Sequence, residues 1–191
     1  MEESNEQMMD NMTTDRGLSS KRSLRSETTG HSEPDKDKLI AMLNALIEIN
    51  NDRILGYEAA IKETTEEDLK TLFIQFIQTS KKCKEELINE VQELGGIATA
   101  GSRLDGPFFR IWMDIKVVLT GQHRRTILNA CAHGDMLVTG AYTYELNNAL
   151  NNVGPELLIS LKQQQELLKA QQDKITAMKD GAAEISQHWP H

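Results

Sequence analysis

Apolar residues recur at steps of three and four along most of this chain, and four stretches hold that rhythm long enough to predict helices. The first starts between Pro34 and Lys38 and places Leu39, Leu43, Leu46, Asn50, Ile54, Tyr57 and Ile61 on one stripe. The second, from about Glu66 to Leu94, aligns Leu69, Phe73, Phe76, Ser80, Cys83, Leu87, Val91 and Leu94. Gly95-Gly96 should end it, because glycine enters the left-handed conformation without a Cβ clash. The third, from about His123 to Leu150, carries Leu128, Cys131, Asp135, Val138, Tyr142, Glu145 and Ala149. The fourth, Pro155 to Lys179, carries Leu157, Leu161, Gln164, Leu168, Gln172, Ile175 and Met178.

The links between these helices predict how they are arranged. "KETTEED" joins the first pair; Thr64 or Thr65 is placed to cap the second helix, with Glu67 and Asp68 in its first turn. "NNVGPE" joins the last pair. Links this short make neighbours antiparallel. The middle link is about 30 residues long and allows a parallel crossover. Within it, "DGPFFRIWMDIKVVLTG" predicts a short helix opening at Pro107, with Phe108, Ile111, Trp112 and Ile115 on one face. The expected fold is all-α: a four-helix bundle of the ferritin-like topology, with one long crossover carrying a short extra helix.

Polar residues break each apolar stripe. Asn50, Ser80, Asp135, Gln164 and Gln172 all fall on buried faces, where a polar group without a partner costs about 1–3 kcal/mol. They are expected to satisfy one another in a polar core layer that fixes helix register. The sharper alternative is a cation site drawn from Glu58, Asp135 and Glu145. "ILNACAHGDMLVTGAY" also sets Cys131, His133 and Asp135 at alternate positions, but successive helical residues turn by ~100°. Cys131 and Asp135 therefore share a face, and His133 points away from both. No regular helix could close these three residues on one ion.

Composition separates the ends from the middle. Residues 1–35 are rich in Ser, Thr, Glu, Asp and Arg without an apolar period, and read as a disordered tail. Its "RGLSSKRSLRSETTG" sets basic residues beside serines, as a docking or phosphorylation patch would. Residues 36–180 form the bundle, and 181–191 a flexible C-terminal tail. The 191-residue chain carries a formal net charge of −8, which argues against nucleic-acid or anionic-membrane partners. No apolar run is long enough to span a bilayer. The N-terminus lacks a signal-peptide pattern. Cys83 and Cys131, the only cysteines, suggest neither a disulfide framework nor a zinc knuckle, so a cytoplasmic location is expected.

Two segments carry a resemblance. "LIAMLNALIEINNDRILGYEAAIKETTEEDLKTLFIQ" and "FRIWMDIKVVLTGQHRRTILNACAHGDMLVTGAYTYEL" resemble a family of uncharacterised bacterial four-helix-bundle proteins grouped with the ferritin-like superfamily. The likeness spans residues 38–180, and its most specific parts are "LNALIEINNDRILGY", "ELGG" and "WMDIKVVLTG". It implies a ferritin-like bundle without assigning a reaction. Members often have acids near positions 130 and 132 and a histidine near 172; here those are Ala130, Ala132 and Gln172.

Di-metal bundles of this class take a Glu from each of two helices and Glu-x-x-His from each of the other two. This chain contains no Glu-x-x-His. Nor does it contain a Gly-x-Ser-x-Gly elbow, a P-loop or a dinucleotide fingerprint. The expectation is a non-enzymatic bundle acting through binding or assembly, in a stress-related setting, without a cofactor and without assigned catalytic residues. A second copy or another protein is the expected partner; Phe108, Phe109 and Trp112 either line a homodimer contact or, as is more common for such residues, pack over the bundle. The alternative is a ferritin-like di-metal protein or oxidoreductase that uses iron or manganese.

Overall fold

The computed structural model describes residues 33–101, 124–149 and 153–187. Four long helices account for nearly all of them: α1 (Glu33–Glu63), α2 (Glu67–Glu93), α3 (Arg124–Ala149) and α4 (Pro155–Gln187). Residues 1–32 of the expected 1–35 tail and the crossover helix, with Phe108, Phe109 and Trp112, lie outside the described residues, whereas residues 33–35 belong to α1 and not to the tail.

The apolar stripes are where the periodicity put them. Leu39, Leu43, Leu46, Ile54 and Tyr57 of α1 are buried, as are Leu69, Phe73, Phe76, Cys83, Leu87 and Val91 of α2. Leu128 and Cys131 of α3 share a buried cluster with Ile175 of α4, and Val138 and Tyr142 share another with Leu161 and Leu168. α1 packs chiefly on α2 and α3 on α4, α1 and α3 join the two pairs, and α2 and α4 meet least. Contacts climb α1 as they descend α3: Asn50 meets Tyr142, and Tyr57 meets Asp135. These helices are therefore antiparallel, and α2 and α3, joined by the crossover, run the same way.

The turns follow local chemistry with one correction. α2 ends as expected: Gly95 has φ +70°, and the Gly96 N–H reaches back to the Val91 carbonyl at 2.8 Å. A Cβ on Gly96 would meet Ile40 at 2.9 Å, so glycine there also lets the turn lie close on α1. At the other end, neither Thr64 nor Thr65 caps α2. Glu66 occupies the cap position without a side-chain cap bond. The Thr64 hydroxyl instead accepts the Glu66 N–H at 3.2 Å, because it stands two residues before the cap and cannot reach the first-turn N–H groups. Arg124 completes this corner by binding Glu66 and Asp68.

After Gly96 the chain runs along α1. Asn44 donates to the Ile97 carbonyl at 3.1 Å and accepts from the Thr99 N–H at 2.8 Å, and Asn51 donates to the Gly101 carbonyl at 2.6 Å. Asn44 and Asn51 are seven residues apart, two turns on one face, so α1 provides a track for the start of the crossover. At the C-terminus the boundary expected at 180 moves. α4 continues to Gln187, because "GAAEISQ" contains good helix formers and a single glycine lowers helix propensity without breaking the helix.

The core divides in two. One apolar cluster gathers Ile54, Tyr57, Leu69, Phe73, Phe76, Ile127, Leu128 and Ile175. The other gathers Leu39, Leu43, Leu46, Leu87, Val91, Val138, Leu161 and Leu168. Arg53, Ser80 and Asp135 are buried at the level between them.

Candidate functional site at the bundle centre

The most polar part of the interior is built around Arg53, whose relative exposure is 0%. Its Nε donates to Asp135 Oδ1 at 2.8 Å and its Nη2 to Asp135 Oδ2 at 3.3 Å, a two-pronged contact between α1 and α3. Nη1 donates to Ser80 Oγ at 3.0 Å and to the Phe76 carbonyl at 3.2 Å, which brings in α2. The Tyr57 hydroxyl, one turn along α1, donates to Asp135 Oδ2 at 2.6 Å. Each Asp135 oxygen thus accepts at least one hydrogen bond from α1.

Electrostatics favour the charged guanidinium. Burial is the largest single influence and works against the Arg53 charge, but attraction to Asp135, the hydrogen bond to it and the neighbouring Tyr57 and Cys83 together outweigh burial and hold the guanidinium above its ordinary pKa. Burial, with Asp135 adding to it, drives the Tyr57 hydroxyl well above the usual phenol range. Cys131 is raised for the same two reasons. Burial, with help from Glu86, pushes the Cys83 thiol up to about 11. Both thiols are free and buried, so they stay protonated near neutral pH and make poor nucleophiles.

A second polar cluster lies one turn back on α1 and joins all four helices. Asn50 Nδ2 donates to the Leu46 carbonyl at 2.9 Å and to the Tyr142 hydroxyl at 2.6 Å. Tyr142 donates to Gln164 Oε1 at 3.1 Å, and Gln164 Nε2 donates to Glu86 Oε2 at 2.8 Å and to the Cys83 carbonyl at 3.5 Å. Asn50 Oδ1 is buried without a hydrogen-bond partner.

The expected polar residues are therefore split between two clusters. Ser80 and Asp135 belong to the Arg53 cluster, and Asn50 and Gln164 to the Tyr142 cluster. Gln172 belongs to neither. It is half-buried and accepts from Thr139 Oγ1 at 2.9 Å, at the edge of the α3–α4 contact. Eight residues separate it from Gln164, a net rotation of ~80°, so the two cannot face the same layer. Arg53 and Glu86 are members that the apolar pattern did not identify; it placed Tyr57 and Tyr142 on the buried stripes but not among the polar partners.

The three acids considered for a cation site are not brought together. Glu58 is half-buried on α1, five residues from Arg53 and so turned ~140° from it. Glu145 lines a surface groove with Lys38, Met42 and Tyr144, ten residues or ~15 Å along α3 from Asp135. Among the described residues, no group of three or more His, Cys, Asp or Glu could hold a metal ion. His133 is exposed while Cys131 and Asp135 are buried, as the helical rotation requires.

The chain matches a domain family described as "Domain of unknown function (DUF2383)" over residues 38–148. No curated protein matches it. Among solved structures it is similar to a chain described as "ferritin like, diiron-carboxylate proteins from Bacillus anthracis str. Ames". The identity is 16% and the TM-score 0.60, with 78% of this chain and 99% of that chain covered. That likeness makes the bundle ferritin-like in fold.

The neighbour's description raises the question of whether this centre suits a di-metal group. The residues do not fit one. Such a group needs several carboxylates and imidazoles to offset its charge. Here Asp135 is the one carboxylate in the Arg53 cluster, and a guanidinium already binds it. A divalent ion would face that permanent cation across a single anion in a medium that screens charge poorly.

Proposed function

The chain belongs to the DUF2383 family, and on that premise we propose that it is a non-enzymatic ferritin-like bundle that works by binding or assembly through its outer surfaces. One observation carries this reading: the Arg53–Asp135 pair fills the bundle centre. The groups that could do chemistry there are committed to one another. Asp135 is held by Arg53 and Tyr57, Ser80 by Arg53, and the two thiols are buried and protonated. The interior serves as a rigid frame, and the function lies in what the frame presents. A cytoplasmic setting belongs to the same proposal. It is compatible with two free thiols, and no described helix is long and apolar enough to cross a membrane.

The test is elemental analysis of protein purified without chelator, followed by assay of dioxygen- and peroxide-dependent oxidation after iron or manganese is added. The reading predicts no stoichiometric metal and no turnover above free ion. Stoichiometric metal with turnover would replace it with the di-metal alternative.

A further inference from the structure

Arg53 does more than neutralise Asp135. Five groups from four residues meet its guanidinium, and each matches a part of that group's chemistry. Asp135 accepts along one edge of the plane, at 2.8 and 3.3 Å. Ser80 Oγ and the Phe76 carbonyl accept from Nη1 at 3.0 and 3.2 Å. Two aromatic rings flank the group: the guanidinium carbon lies 4.9 Å from the Tyr57 ring centroid and 5.3 Å from that of Phe76. The rings meet edge to face, at 84° with centroids 5.4 Å apart, and so form a corner around the cation.

We propose that this centre is a guanidinium-selective receptor whose resident ligand is the chain's own Arg53 side chain. Its walls are Asp135, Ser80, the Phe76 carbonyl and the Tyr57 and Phe76 rings. The proposal rests on the reading of the centre as metal-free. It adds the chemical class that the site accepts and the reason other cations are refused.

Geometry supplies the selectivity. A guanidinium is flat, offers donors in a fixed fork and is weakly hydrated, so it can lie in an aromatic corner while bonding at several points around its rim. An ammonium is a compact, strongly hydrated point charge with tetrahedral donors. It cannot meet a two-oxygen carboxylate edge, a hydroxyl and a carbonyl on these separate sides together. A divalent metal would have one carboxylate, the hydroxyls of Ser80 and Tyr57, and one carbonyl, a single anionic ligand beside neutral oxygens, while the faces of the two rings contribute no donor atoms. The bundle therefore ties α1, α2 and α3 together with a cation carried on α1, and its centre does not depend on a metal supply.

Arg53→Ala in the full chain tests this directly. The truncation keeps Cβ and removes the atoms that ethylguanidinium would restore. Ethylguanidinium at millimolar concentration should raise the thermal midpoint of Arg53→Ala saturably while leaving wild type unmoved. Propylammonium, Mn²⁺ and Zn²⁺ at equal concentration should not. If the variant does not fold alone, refolding it in the presence of each cation reads the same preference through recovery of helical signal. Arg53→Lys is the second variant: it keeps the charge and the apolar stem, and should remain well below wild type in midpoint. Rescue by propylammonium or by either metal, no rescue by ethylguanidinium in both formats, or a lysine variant as stable as wild type would overturn the receptor. Wild-type metal content separates the two ideas. Stoichiometric metal defeats the metal-free reading, whereas metal-free protein with no guanidinium preference defeats the receptor alone.

Discussion

Asn50 and Tyr142 face each other across α1 and α3 at 2.6 Å, both fully buried, and the phenol passes the contact on to Gln164 of α4. Tyr142→Phe would keep the ring and remove the link. Asn50 would retain the Leu46 carbonyl, while Gln164 Oε1 would lose its donor. The expected loss is about 1–3 kcal/mol, the usual consequence of stranding a buried polar group. It should appear as a lower urea midpoint with an unchanged slope.

Breaking the Arg53–Asp135 pair from one side should be worse. Arg53→Met leaves a buried carboxylate with Tyr57 as its remaining donor among these contacts, and Asp135→Leu leaves a buried guanidinium without its anion. Each single variant should lose about 3–5 kcal/mol. The double variant should recover most of that loss, because apolar groups of similar volume often replace a buried ion pair at little cost. A double-mutant cycle by urea denaturation checks this, with a coupling near zero as the contrary result.

The buried thiols and phenols predict an alkaline-sensitive core. Cys83, Cys131, Tyr57 and Tyr142 all have pKa values raised in the folded state, so folding favours their protonated forms. Stability should be intact below the ordinary thiol range. For Cys83 it should decline as pH rises from the thiol's ordinary value of 9.0 toward about 11, where the folded thiol itself ionises. Cys83→Ala should flatten that decline. At pH 8, labelling by a thiol reagent should be slow and should accelerate only with denaturant.

The corner at Arg124 predicts the opposite pH dependence. Arg124 holds the Asp68 carboxylate below its ordinary pKa, chiefly through their hydrogen bond. A depressed carboxylate contributes stability above its unfolded pKa and loses it as pH falls through the folded value. Asp68→Asn should therefore lower stability slightly at pH 7 and make no difference once pH falls well below 3.8, the carboxylate's ordinary value. Asp68 is largely exposed, so the effect should also fade with added salt. Thermal midpoints of the two proteins from pH 2 to pH 7, at low and high salt, measure it.

Much of this arrangement was legible in the apolar rhythm. The stripes named the buried faces of all four helices, and the link lengths gave the single crossover. The polar interruptions marked where the interior would need partners. The most consequential residue was hidden because Ile54 continued the α1 stripe at a step of four from Asn50. Arg53, at a step of three, shares the buried arc equally well, since both steps lie near one turn. A signal existed: Asp135 needed a buried donor, and Arg53 stands three residues after one seam residue and four before another. Gln172 failed for the opposite reason. Its spacing suited the stripe, but rotation over two turns carried it to the α3 edge. The fourth helix runs past its expected end because the helix formers of 181–187 continue it beyond Met178, the last residue named on its stripe.

The central claim is that a guanidinium–carboxylate pair occupies the bundle centre and leaves no place there for a metal. The Arg53 Nε–H resonance, assigned by its loss in Arg53→Lys, reports on that centre in the wild-type protein. It should exchange slowly with solvent and keep its position and width as Mn²⁺ is titrated to several equivalents. Stoichiometric, saturable broadening of that signal by Mn²⁺ would place a paramagnetic ion beside Arg53 and contradict the claim.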